Sequence, residues 1–133
     1  MSWKDVFKNG FDRIYEIVKR KYPDIRFPCY GGRFYWLLWT RRFESLYFYL
    51  TQHSLIYTAC GACVTEIPFH EIRKISIKRG MIFKSSFRIR IVADKKYHLQ
   101  INMIKDFNTK LTGSSANNVK SFIEMLQLNV EKQ

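Results

Sequence analysis

The chain reads as an α+β domain in which an antiparallel meander of about seven strands lies between two amphipathic helices. Three observations predict this. Apolar residues recur at helical spacing only near the two ends of the chain. Between those ends, short runs rich in aromatic and β-branched residues alternate with polar or glycine-containing turns. Hydrophobic residues make up 47% of 133 residues, with only 6 Gly and 3 Pro, a composition that suits one packed core rather than a disordered tail.

From Ser2 to Tyr22, Trp3, Phe7, Phe11, Ile14, Val18 and Tyr22 recur at steps of three or four and form one helical stripe. Ser2 with Asp5 resembles a capping box, and Pro23 disfavours helix at the residue before it. Residues 1–27 are thus a helix and linker, and 28–133 the domain proper. After the breaker stretch Pro23 to Gly32, strands are predicted at 33–40, 45–51, 54–59, 64–68, 74–79, 86–93 and 96–102. The predicted interruptions include Arg41-Arg42-Phe43-Glu44, Cys60-Gly61-Ala62-Cys63, the Gly80 loop and Asp94-Lys95. The run Phe34 to Trp39 is apolar on both faces, which calls for cover on each side. The first helix is expected to pack on that strand or to bridge to a second copy. A final helix is predicted over 115–128, where Val119, Phe122, Ile123 and Leu126 share a face.

One stretch resembles the bacterial pleckstrin-homology-like domains. It runs from Leu50-Thr51-Gln52-His53 into the apolar strand Ser54-Leu55-Ile56-Tyr57. The corner Ile67-Pro68-Phe69-His70-Glu71-Ile72 follows, leading into Arg73-Lys74-Ile75. The likeness extends over residues 32–128. It implies a strongly bent, partly open antiparallel β-barrel with the last helix plugging one end. Members of that superfold bind phosphoinositides, peptides or proteins, and some bacterial ones form homo-oligomeric rings. The resemblance places Arg41 and Arg42 in the loop that carries the lipid-headgroup motif of eukaryotic relatives. The spaced basic residues of the adjoining strand are missing, so a specific inositol-phosphate site is not implied.

Charge supplies the candidate sites. The net charge is +12, which favours anionic partners. From Arg73 to Ala93 the chain has basic residues and no acidic one until Asp94. Strand alternation puts Lys74 and Lys78 on one face of a hairpin and Arg88 and Arg90 on the same face of its partner. With Arg79 and Lys84 these form the expected anion-binding hairpin. Met81, Ile82 and Phe83 at its loop form a candidate membrane-dipping segment, although such residues more often fold back on a core. A second cationic group, Arg41, Arg42, Lys95 and Lys96, is expected to converge at the open end of the barrel. Solvated faces are the plain alternative for both groups.

The remaining motifs are sparse. Cys60-x-x-Cys63 has metal or redox spacing but lacks a second half, and a plain turn is the expected reading, with no metal and no cofactor. His53, His70 and His98 are scattered, and no P-loop, GxGxxG or GxSxG is present, so no enzyme is expected. No apolar run approaches the ~20 residues of a transmembrane helix. The N-terminus lacks the apolar stretch of a secretory signal. The expected setting is cytoplasmic, peripheral at the inner face of the membrane. The expected function is a binding or assembly module that self-associates and contacts an anionic lipid surface or an acidic protein. The alternative is a basic single-stranded nucleic-acid binder, with Phe34, Tyr35, Trp36, Trp39 and Phe43 interleaved among arginines.

Overall fold

The computed structural model describes residues 3–79, with side chains from Lys8, together with 86–103, 108–109 and 113–131, with side chains resuming at Ser115. Helix α1 (Trp3–Lys21) leads into strands β1 (Arg26–Leu37), β2 (Thr40–Leu50), β3 (Ser54–Thr58) and β4 (Val64–Pro68). A 3-10 turn over Phe69–Glu71 carries the chain to β5 (Lys74–Arg79), β6 (Ser86–Val92) and β7 (Lys96–Asn102). A short ribbon of β8 (Asn108–Thr109) and β9 (Gly113–Ser114) precedes helix α2 (Ser115–Glu131).

Seven strands make one antiparallel sheet in the order β4-β3-β2-β1-β7-β6-β5, which is the predicted α+β architecture. Strands β4 and β5 are its two edges, so the sheet is open between them. Strand β1 joins the two halves, pairing with β2 along its length and with β7 from Tyr30 to Arg33. Gly31 and Gly32 make this double pairing possible. A Cβ on Gly31 would collide with the Gln100 carbonyl of β7, and one on Gly32 with the Phe43 ring and the Glu44 carbonyl of β2.

Alternation then sorts the side chains. Leu46, Phe48, Leu50, Leu55, Ile89, Ile91, Leu99 and Ile101 face inward and form the main core. The α2 stripe Val119, Phe122 and Leu126 closes over them, with the Phe122 ring edge-on to Phe48 at 6.4 Å between centroids. Each of these buried side chains contributes roughly 1.5–3 kcal/mol by leaving water.

A second, smaller core lies on the outer face. There Ile14 and Val18 of α1 pack with Ile25, Tyr49 and Ile56, and Phe11 meets Tyr47 edge-on at 5.7 Å. Helix α1 therefore covers the outer side of β2 and β3; of the two expected roles, packing on the Phe34–Trp39 run is not the one it takes within this chain. The reason is chemical: Tyr47, Tyr49 and Ile56 offer it an outward apolar row inside the sheet, whereas Phe34–Trp39 runs beyond the flanking strands.

The start of the sheet also differs from expectation. Strand β1 begins at Arg26, inside the predicted breaker stretch, because a bulge between Arg26 and Cys29 absorbs Phe27 (φ 54°) and Pro28. Arg41–Glu44 is strand, not loop. The chain reverses instead at Leu38-Trp39, with Leu38 at φ 58°. A two-residue hairpin normally places Gly or Asn in that left-handed position, so residue type alone points elsewhere.

Two outcomes follow for stability. Gly31→Ala should lower it by about 2 kcal/mol or more in urea unfolding, because backbone must move. Gly10→Ala, in α1 with open space around it, should raise stability by ~1 kcal/mol. Among the described residues the buried Tyr49 hydroxyl has no hydrogen-bond partner. Removing it in Tyr49→Phe should leave the melting temperature unchanged or higher, since an unsatisfied buried hydroxyl costs ~1–3 kcal/mol.

Candidate functional site

The half of the outer face that α1 leaves open is basic. Register places Lys78 opposite Arg88, Ser76 opposite Arg90 and Lys74 opposite Val92. On the next strand Arg90 neighbours His98, and Val92 neighbours Lys96. Lys74, Lys78, Arg88 and Arg90 are exposed and share this face, the arrangement that alternation predicts. No acidic residue points outward from β5, β6 or β7 among the described residues. Lys78 opposite Arg88 is a like-charge pair, which disfavours the sheet by up to about 1 kcal/mol.

Arg79 has the other parity. It points to the inner side and lies 5.8 Å from the Phe87 ring. Gly80, Met81, Ile82, Phe83 and Lys84 fall outside the described residues.

This basic face continues into an aromatic arm. Past Arg33, β1 leaves β7, and past Tyr47, β2 leaves β3, so Phe34–Phe43 is a two-stranded projection with no flanking strand. Its outer side carries Phe34, Trp36, Arg41 and Phe43. The Phe34 and Phe43 rings lie 5.1 Å apart. The Arg41 guanidinium lies 4.3 Å from the Phe34 centroid, and Arg88 reaches the same ring from β6 at 6.0 Å. Phe34 thus links the arm to the cationic strands. Such contacts contribute ~0.5–1 kcal/mol each at an exposed site.

At the end of the arm the apolar side chains are bare: Trp36 is 70% exposed, Leu37 54%, Leu38 83% and Trp39 91%. Left-handed φ at a residue with a side chain costs roughly 1–2 kcal/mol, so Leu38 is held in a strained turn while burying almost nothing.

The inner side of the arm continues the core face of the sheet. There Arg33 forms a 2.8 Å ion pair with Glu44, which pushes the guanidinium pKa up and keeps it charged. The Tyr97 hydroxyl donates to Asp94 at 2.9 Å; burial, with Asp94 assisting, pushes its pKa up to about 12. The four cations expected to converge at this end are divided instead. Arg41 joins the outer face and Arg42, one residue on, the inner face. Lys95 lies over the Tyr97 ring at 5.3 Å, while Lys96 faces outward. None of Arg41, Arg42, Lys74, Lys78, Arg88 or Arg90 has an ion-pair partner among the described residues.

Cys60 and Cys63 are exposed in the β3–β4 turn, and Cys29 is buried. Backbone N–H groups of Ala62 and Cys63 donate to the Cys60 sulfur and hold its pKa below the usual thiol range, whereas burial pushes Cys29 well above it. No cluster of three or more His, Cys, Asp or Glu able to hold a metal occurs among the described residues. No described helix is long and apolar enough to cross a membrane.

Sequence reasoning named Trp36 and Trp39 only for the nucleic-acid alternative and did not single out Leu37 and Leu38; none of the four was expected at an exposed arm tip. The available signal was their framing: two tryptophans enclose two leucines, with Arg33 before and Arg41-Arg42 after. That is the amphipathic composition of an interface, yet the same run also reads as a doubly covered core strand.

No family model and no curated protein matches the chain. Among solved structures it is similar to the crystal structure of the C-terminal domain of an unknown protein from Leishmania infantum, at a TM-score of 0.50 and 9% identity. The match covers 87% of this chain and 97% of that one, and at such identity the likeness is one of fold alone.

Proposed function

We propose that this chain is a non-enzymatic binding module of pleckstrin-homology-like type that docks on an anionic membrane surface. In this reading the β1–β2 tip enters the lipid interface, and the outward cations of β5, β6 and Arg41 meet the headgroups. The observation that carries the reading is the tip, with Trp36, Leu37, Leu38 and Trp39 presented to solvent on a projecting, strained turn.

The physical division of labour is direct. Tryptophan rings, with an apolar body and one N–H donor, favour the depth of the headgroups. Burying a large apolar side chain contributes roughly 1.5–3 kcal/mol, a term indifferent to salt. Each Lys or Arg near an anionic leaflet adds ~1 kcal/mol, a term that falls off within a Debye length of ~8–10 Å. Because Arg88 and Arg41 both lean on Phe34, the cationic face and the tip form one continuous surface.

Vesicle co-sedimentation tests this. The protein should bind phosphatidylserine-containing vesicles at low salt and bind neutral phosphatidylcholine vesicles more weakly. Salt should remove most of the difference. Lys78→Glu with Arg88→Glu should abolish the salt-sensitive part, and Trp36→Ser with Trp39→Ser the salt-resistant part. Leu38→Gly is the sharpest variant. It relieves the left-handed strain, so the melting temperature should hold or rise while vesicle binding falls. Failure of the unmutated protein to bind anionic vesicles at low salt would sink the reading. Retention of single-stranded oligonucleotide by Phe34 and its arginines under the same conditions would put nucleic acid in its place.

A further inference from the structure

Of the chain's histidines, register puts one inside the basic face. His98 is exposed on the outer side of β7, directly opposite Arg90 of β6. Its neighbours on the same side of β7 are Lys96 and Gln100. Beyond Arg90 the row continues to Ser76 of β5, with Lys74 and Lys78 on either side of it. On its other flank His98 is one residue past the last β1–β7 pair, Arg33 with Leu99, and so stands level with Phe34, the ring that Arg88 and Arg41 both approach. Helix α1 lies farther off, over β2 and β3, where its Arg13 comes near Tyr47. The acid closest in sequence, Asp94, accepts the Tyr97 hydroxyl, and Tyr97 belongs to the inner side. Among the described residues no carboxylate points outward from β5, β6 or β7 to partner the imidazole. His53 and His70 belong to the β2–β3 turn and the 3-10 turn, not to these strands.

We propose that His98 makes the basic face an acid-strengthened contact, adding a positive charge against an anionic lipid surface as pH falls. The inference rests on the membrane reading and supplies its regulation. Histidine is the side chain that changes charge between about pH 5 and about pH 8. An imidazolium at this position has only cations for company in the free protein and gains anionic headgroups when docked. Docking therefore favours the protonated form, and by linkage protonation favours docking in equal measure. Binding is tighter below the histidine range and weaker above it. One further cation at an anionic leaflet amounts to about fivefold in affinity at low salt, and salt screens the gain as it screens the arginines around it.

The test is vesicle binding by the whole chain at low salt, measured at about pH 5.5 and about pH 8. Phosphatidylglycerol vesicles are the probe, because a phosphodiester headgroup keeps its charge across that range. The unmutated protein should bind about fivefold more tightly at the lower pH. His98→Gln should bind with equal strength at the two values. His98→Lys should lose the pH dependence in the other direction, binding at the higher pH as tightly as the unmutated protein does at the lower. His53→Gln with His70→Gln should keep the full dependence, which separates a local charge on β7 from a general rise in net charge. Position 98 is exposed, so matching melting temperatures show that the variants fold. Binding of equal strength at both pH values by the unmutated protein would overturn the inference and leave the membrane reading standing. A pH dependence that survives in His98→Gln would overturn it too. No binding at either pH would end both.

Discussion

Everything in this fold depends on one strand being shared. Strand β1 must pair with β2 on one side and β7 on the other while the inner face of both halves packs against α2. Side chains at the crossing point would keep the neighbouring backbones apart. Gly31 and Gly32 remove that obstacle, and the carbonyls of Gln100 and Glu44 occupy the space where Cβ atoms would stand. The main core, from Leu46 and Phe48 to Ile101, assembles only if the two halves are joined there. The arm is the same strand carried past its pairing with β7.

The outer face shows two solutions to one problem. A sheet with apolar residues on both sides must be covered or must tolerate exposure. Over β2 and β3 the tyrosines and Ile56 are covered by α1. Over β5, β6 and β7 the outward positions other than Val92 are cationic or polar and need no cover, which also discourages pairing between sheet edges. The arm follows neither solution: it is apolar, exposed and strained at Leu38. A residue that costs stability and buries nothing within its own chain is explained most simply by a contact outside it.

What was legible in the sequence follows from periodicity. Phe11, Ile14 and Val18, and likewise Val119, Phe122 and Leu126, are buried as their helical spacing requires. Alternation in Lys74–Arg79 and Ser86–Val92 predicted which cations share a face before any pairing was known. Periodicity does not report whether a strand has neighbours. Phe34–Trp39 reads as doubly covered because apolar residues on both faces look the same whether a helix or bulk solvent lies beyond them. The turn was misplaced for a related reason: Arg41–Glu44 carries turn-like polarity, while Leu38-Trp39 carries no turn chemistry at all. Convergence of Arg41 with Arg42 failed on the simplest rule of strands, since adjacent residues point opposite ways.

The arm is fastened by only four residue pairs beyond Arg33 and Glu44, from Phe34 with Phe43 to Leu37 with Thr40. It adds nothing to the interior and no neighbouring strand relies on it. Its side chains can therefore be exchanged, by drift or by design, almost free of the packing constraints that bind the core of the sheet. The exposed arm and the folded interior are separable in this architecture. If the tip is the docking element, as proposed, altering its four exposed positions would change the surface it meets while the Gly31–Gly32 scaffold stayed as it is.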